Sequence, residues 1–231
     1  VPKTLGTLLT NVRSRLDETT ARFWTDAEVR RWIVEAARDV ARRAETLLTT
    51  QDVTIVAATQ EYALATDTLR VYRAEWEPGG TSLRYPLEYR DFNSMDAVWG
   101  ISKQVTQGYP YWFTLWGFPP NLKITFYPKP SVAGKVVVFY YKLPADLATD
   151  GTADSSNVDV PEGWWDALEL YCEFVALRKD GDPRWLEAKQ LYEEKVAELV
   201  EVSRRWSDQA DAIQYRTALL PAWLYGSEDV I

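Results

Sequence analysis

Two periods divide this chain. From Leu5 to Leu16, and again from Thr25 to Leu48, large apolar residues recur every three or four positions, the spacing of a helix with one buried face. In the first run they are Leu5, Leu8, Leu9, Val12 and Leu16, with Thr4 placed to cap it. In the second they are Val29, Ile33, Ala36, Val40, Ala44 and Leu47. Asp26, Arg30, Arg31, Glu35, Arg38, Asp39, Arg42 and Glu45 fall mostly on the other side. The second helix also has a start signal. Thr25 and Glu28 form a Thr-x-x-Glu capping box, and Trp24 with Val29 has the spacing of a hydrophobic staple. So few residues separate the two helices that they are expected to lie against each other.

From Gln51 to about Lys142 the period falls to near two, the signature of strands. Val53, Ile55 and Ala57 alternate with polar neighbours, as do Tyr62 and Leu64, then Leu69 and Val71. Pro78-Gly79-Gly80 marks a turn, and Tyr89 to Trp99 reads as a short helix or an irregular loop. Tyr109 to Trp116 is aromatic at both parities, so both of its faces need cover, from the core on one side and from a neighbour on the other. Leu122–Tyr127 and Lys135–Tyr141 read as an antiparallel pair joined through Pro128-Lys129-Pro130 and Gly134.

After a linker the helical period returns. Pro161 opens a helix whose stripe is Trp164, Leu168, Tyr171, Cys172 and Val175. Gly181 suits its C-terminal cap, Asp182 the next N-cap, and Pro183 the first position of a last helix reaching about Ser207. The expected fold class is α+β: a four-helix bundle with a β-rich antiparallel insertion between the second and third helices, and an extended C-terminal arm. The expected divisions are residues 1–50 and 158–208 for the bundle, 51–143 for the insertion, 144–157 for the linker and 209–231 for the arm.

The arm changes the picture. Gln209 to Ile231 has no clear period but holds Ile213, Tyr215, Leu219, Leu220, Trp223, Leu224, Tyr225, Val230 and Ile231. Ordering that much backbone costs more than burying those side chains returns. The arm is therefore expected to fold onto a partner, either a neighbouring copy or another protein. The alternative is a tail wrapped back along its own bundle.

Composition removes several classes of function. There are 231 residues and no histidine, which excludes Ser/His/Asp and Cys/His nucleophile sites and most zinc and iron ligand sets. The single cysteine, Cys172, sits in an apolar helical stretch and reads as a small buried hydrophobe. A net charge of -8 opposes tight phosphate binding but not a surface past which DNA slides. No apolar run is long enough to span a bilayer and no signal pattern opens the chain, so a soluble protein made inside the cell is expected. Asp150 to Ser156 resembles a calcium loop only loosely, without the glutamate and glycine positions of an EF-hand. No metal, cofactor or catalytic residue is expected.

Three stretches together resemble the head-to-tail adaptor proteins of tailed bacteriophages. They are Leu8–Asp17 followed by Trp24–Glu28; Leu122–Pro130 followed by Val136–Leu147; and Val160-Pro161-Glu162 with the helix ending Leu177–Asp182. The resemblance implies a structural virion protein at the head–tail interface, assembled in the host cytoplasm as a ring of twelve copies beneath the portal. DNA would pass through it without sequence-specific binding, and its rim would meet a tail or head-closure protein. By that resemblance Ala210 to Trp223 is the portal-contacting arm, with Ile213, Tyr215, Leu219, Leu220 and Trp223 as its contacts. Tyr109, Tyr111, Trp112 and Trp116 are candidates for a subunit or tail interface, and Glu187, Glu194, Glu198 and Glu201 for the channel lining. Two other readings compete: a carbohydrate-binding module using the Tyr109–Trp116 aromatics, and a carboxylate hydrolase, for which no Asp/Glu pair is singled out.

Overall fold

The computed structural model describes the backbone of residues 3–18, 20–99 and 107–218, and the side chains of these except 96–99 and 206–218. Helix α1 (Leu5–Arg15) is capped by Thr4, whose hydroxyl accepts from the Thr7 amide. Helix α2 (Asp26–Ala44) begins with the full capping box: the Glu28 amide donates to Thr25 Oγ1 at 3.3 Å, and the Thr25 amide to Glu28 Oε2 at 3.2 Å. It stops at Ala44 instead of running to Leu48. Glu45 turns left-handed at φ 47°, and the Lys142 amide donates to Leu47 O, drawing Leu48 into a strand.

Strands β1 (Leu48–Ile55), β2 (Glu61–Ala63), β3 (Thr68–Pro78), β4 (Tyr85–Tyr89), β6 (Trp112–Trp116), β7 (Lys123–Tyr127) and β9 (Gly134–Lys142) form one seven-stranded sheet in the order β1-β9-β3-β4-β6-β7-β2. Helix α3 (Phe92–Trp99) interrupts it, and β5 (Gln107–Gly108) and β8 (Lys129–Pro130) form a separate small pair. The large sheet curls almost closed around a single core of Val53, Ile55, Ala74, Trp76, Phe113, Ile124, Phe126, Val136 and Val138. Side chains bridge its two edges: the Tyr62 hydroxyl bonds to the Val56 amide and carbonyl, and Gln51 Oε1 accepts from the Ala65 amide.

Two strand expectations fail here. The sheet is mixed and not wholly antiparallel, because β4 and β6 run parallel. Strands β7 and β9 do not pair: β7 lies between β6 and β2, and β9 between β1 and β3. Local turn signals suggested a hairpin, but both strands are buried on both faces and each takes two other partners.

Helices α4 (Trp165–Asp180) and α5 (Trp185–Ala218) follow. Gly181 ends α4 in the left-handed region, φ 80°. The expected four-helix bundle is not what forms. Five helices are described, one of them within the strand region, and the other four share no common core. Helices α2 and α4 make the middle of a layer. On one side α1 contributes Leu5, Leu8, Leu9 and Val12 to a cluster with Val29, Ile33, Leu168 and Cys172. On the other, α5 contributes Tyr192, Val196 and Leu199 to a second cluster with Val40, Ala44, Ala167 and Leu170. On α2 the two groups follow one another along a single face, Val29 and Ile33 nearer its start and Val40 and Ala44 nearer its end, while on α4 they lie on different faces. Helices α1 and α5 therefore meet different parts of the α2–α4 pair, whereas a bundle needs every stripe to converge.

Residues 144–157 are tied to the helices. Arg30 donates to both carboxylate oxygens of Asp154 at 2.7 Å, and the Leu5 and Gly6 amides donate to Ser156 O and Asp154 O.

Candidate functional site

Strand β3 pairs with the start of β4 at Trp76↔Tyr85, but β4 meets β6 only at Glu88↔Trp112. Before that meeting the chain entering β6 stands away from β4 and leaves a mouth into the curled sheet. It is a groove of about 530 Å³ lined by Trp76, Pro78, Thr81, Tyr85, Pro86, Tyr109, Pro110 and Tyr111. Among the described residues no charged side chain lines it. Tyr85, Tyr109 and Tyr111 are each about half exposed. Trp76 is 1% exposed, and its Nε1 has no hydrogen-bond partner. A buried N–H without an acceptor costs roughly 1–3 kcal/mol. The walls are fixed by the Glu88 amide donating to Tyr111 O at 2.8 Å and the Tyr111 amide to Tyr127 O at 2.9 Å.

Tyr109 and Tyr111, expected as an interface, thus come together in this groove, while Trp112 and Trp116 lie elsewhere. Trp112 stacks on Tyr127 with centroids 5.5 Å apart, its Nε1 donates to Glu88 Oε2 at 2.9 Å, and the Arg90 guanidinium lies 5.7 Å from its ring. Phe92 and Met95 of α3 pack with it, so the outer face of β6 takes its cover from within the chain at this point. Trp116 donates to Thr125 Oγ1, and the Lys123 ammonium sits 4.5 Å over its ring. Both indoles are thus engaged by side chains of their own chain. The contributions of Tyr85, Pro86 and Trp76 were not foreseen. Only strand pairing brings residues 76, 85 and 111 together, and no local signal announces that pairing.

Glu187, Glu194, Glu198 and Glu201 are all exposed and fall on one stripe of α5. Cations and amides soften the stripe: Lys195 lies 3.3 Å from Glu198, Arg205 3.1 Å from Glu201, and Gln190 donates to Glu194. Helix α5 runs alongside α2 in the same direction. The Tyr192 hydroxyl donates to Asp39, Arg43 pairs with Glu193, and Val202 and Ser203 line a hollow with Glu45 and Leu48. The helix continues to Ala218, beyond the expected end near Ser207. Ile213 and Tyr215 therefore stand on helical backbone, while Leu219, Leu220 and Trp223 lie outside the described residues.

The titratable groups do structural work. Glu28 is lowered to about 2 by the Lys179 ammonium and by the Thr25 amide and hydroxyl, which both donate to its carboxylate. Burial pushes the Tyr192 phenol up, and its bond to Asp39 adds to the shift. Burial likewise raises the Cys172 thiol well above its usual range. Arg13, 5% exposed, is held by Asp26, Glu18 and Trp24 O. In the stretch compared with a calcium loop, Asp154 is committed to Arg30 on both oxygens, and Asp150 Oδ1 accepts from the Thr152 amide and hydroxyl. Among the described residues no cluster of three or more Cys, Asp or Glu could hold a metal ion, and no helix is long and apolar enough to cross a membrane.

A body whose described surface offers a neutral aromatic groove, an acidic helix stripe and a long helix reaching past its own layer has the features of an assembly component. Comparison with known families agrees: the model of the SU10 adaptor protein family matches residues 3–217, and the chain belongs to that family. It is a phage adaptor, a structural component of the virion. No curated protein matches the chain.

Proposed function

We propose that this chain is the head-to-tail adaptor of its phage. Copies of it form a ring, twelve by the resemblance, beneath the portal, and DNA passes through the ring without being gripped. The arm, with Ile213, Tyr215, Leu219, Leu220 and Trp223, meets the portal. The strand region, with Tyr109, Tyr111, Trp112 and Trp116, faces a neighbouring subunit or a tail or head-closure protein. The stripe of Glu187, Glu194, Glu198 and Glu201 lines the channel, where it keeps phosphates from settling. Helix α5 is the observation that carries this reading. At 34 residues it is about 51 Å long, and among its described side chains the buried contacts with α2 and α4 reach Leu199. A single subunit gains nothing from so long an overhang leading into an apolar tail, whereas a subunit that must reach a second ring does.

The test is reconstitution with the portal of the same phage, followed by cryo-electron microscopy. The expected result is a ring of adaptor density under the portal with α5 pointing into it. Failure to bind the portal at micromolar concentration, or binding unchanged when the chain is cut after Ala218, overturns the portal contact.

A further inference from the structure

The groove at the mouth of the sheet matches an extended peptide. Half-exposed tyrosines alternating with prolines make a surface on which proline and aliphatic side chains stack, the chemistry used to read polyproline-type segments. Such a segment leaves its backbone carbonyls free, and the buried Trp76 Nε1 has no acceptor. The described lining carries no charge, which suits an uncharged occupant. One stretch of this chain has those properties. Leu219-Leu220-Pro221-Ala222-Trp223-Leu224-Tyr225 follows directly on α5, contains no charged residue, and centres on a proline flanked by large apolar side chains.

Reach decides which copy supplies it. The last residues of α5 that line the body, Val202 and Ser203, sit with Leu48, Tyr72 and Tyr141 at the near end of the sheet. The groove is at the far end of β3, with Trp76 and Pro78. From Ser203 to Ala218 the helix advances about 22 Å, and from Tyr72 to Pro78 the strand advances about 20 Å. The end of α5 can thus draw level with a groove. Among the described residues, however, its main packing partners are α2 and α4, and it meets its own sheet where Val202 and Ser203 lie by Leu48, Tyr72 and Tyr141. We infer that in the protein without portal, Leu219–Tyr225 of one copy occupies the Trp76/Tyr85/Tyr109/Tyr111 groove of a second copy, with a backbone carbonyl accepting from Trp76 Nε1. This deepens the reading of the tail as partner-seeking and names its first partner. A head-to-tail contact of this kind, repeated, closes a ring where the rotation between copies divides a full turn and grows a filament where it does not.

The experiment uses the full chain with the substitution Trp223→p-benzoylphenylalanine, mixed in equal parts from ordinary and ¹⁵N-labelled preparations and irradiated without portal. Cross-links from position 223 to peptides containing Trp76–Pro86 or Gln107–Trp112, half of them joining a labelled to an unlabelled copy, are expected. Tyr111→Ala, an exposed change that leaves the core intact, is expected to cut their yield at least tenfold. Trp76→Phe, which keeps an aromatic ring while removing the N–H and shortening the side chain, is expected to cut it several-fold. Cross-links confined to single copies, cross-links elsewhere, or yields indifferent to Tyr111→Ala overturn the inference. No portal is present, so such a failure leaves the portal contact standing, and a failure to bind portal leaves this result standing.

Discussion

Glu28 serves two elements at once. It closes the capping box of α2 and receives Lys179 from the end of α4, and the two together hold its carboxyl at about 2. The folded value lies below the unfolded one, so the unfolded chain binds the extra proton in between and stability rises with pH there. The contribution is complete above roughly pH 4.5, declines as pH falls towards 2, and is gone below that. The urea midpoint of the wild type should therefore exceed that of Glu28→Gln at neutral pH, with the gap closing between pH 4.5 and 2. A gap that stays constant with pH would show that the carboxylate charge is irrelevant. Gly134 is a second position where one atom decides. A Cβ there would lie 2.6 Å from Glu77 O and 2.7 Å from Trp76 Cη2, one a backbone atom and the other a packed ring. Gly134→Ala should destabilise by about 1–3 kcal/mol in chemical unfolding, the usual cost of overfilling a packed core. The sequence shows Gly134 only as a turn residue; the closeness of Trp76 comes from pairing with β3.

Among the elements, the first two helix starts were legible and the later two less so: α4 begins at Trp165 and α5 at Trp185, after the turns that Pro161 and Pro183 open. Thr4, Thr25 and Gly181 act at the ends assigned to them, because a cap is a bargain struck within a few residues. Thr25→Ala should cost roughly 0.5–2 kcal/mol of stability, read from the shift in the denaturation midpoint. The ends of α2 and α5 were less legible. The first is cut short when β9 recruits Leu47 and Leu48, and the second runs on because no Gly or Pro intervenes before Pro221. At the seam of α2 and α5 the hydroxyl of the buried Tyr192 donates to Asp39, which is partly exposed. Tyr192→Phe should therefore lower stability by about 1 kcal/mol without altering helix content, measured by circular dichroism through unfolding. The strand partners were not legible at all. Leu122–Tyr127 and Lys135–Tyr141 have the pattern of a hairpin, and nothing in either segment says that β3, β4 and β6 come between them.

For the whole molecule, charge and length matter more than any contact. The acidic stripe on α5 carries a prediction that can be checked without a ring: the quadruple change of Glu187, Glu194, Glu198 and Glu201 to Lys should create DNA binding where the wild type shows none. Its affinity should fall steeply with salt, as expected when lysines displace counterions from phosphates. Fluorescence anisotropy with a short duplex, at salt from about 50 to 200 mM, would show it. Binding by the wild type of the same strength would remove the stripe as a reason for free passage.

By itself the sequence determined the change of period from helix to strand and back, the caps, the absence of histidine chemistry and the surplus of apolar residues after Gln209. It also carried, in Leu8–Glu28, Leu122–Leu147 and Val160–Asp182, the resemblance to phage adaptors that the family match over residues 3–217 bears out. These are properties of near neighbours along the chain or of totals. Only the tertiary structure decided that the helices form a layer with two cores and that the sheet is mixed and curled almost closed. It alone brought Trp76, Tyr85, Tyr109 and Tyr111 to one groove. Strand order and helix sidedness depend on which of several apolar faces meet. An apolar stripe records that a face must be buried but leaves its partner unnamed, and the choice among partners is made by how all of them fit at once.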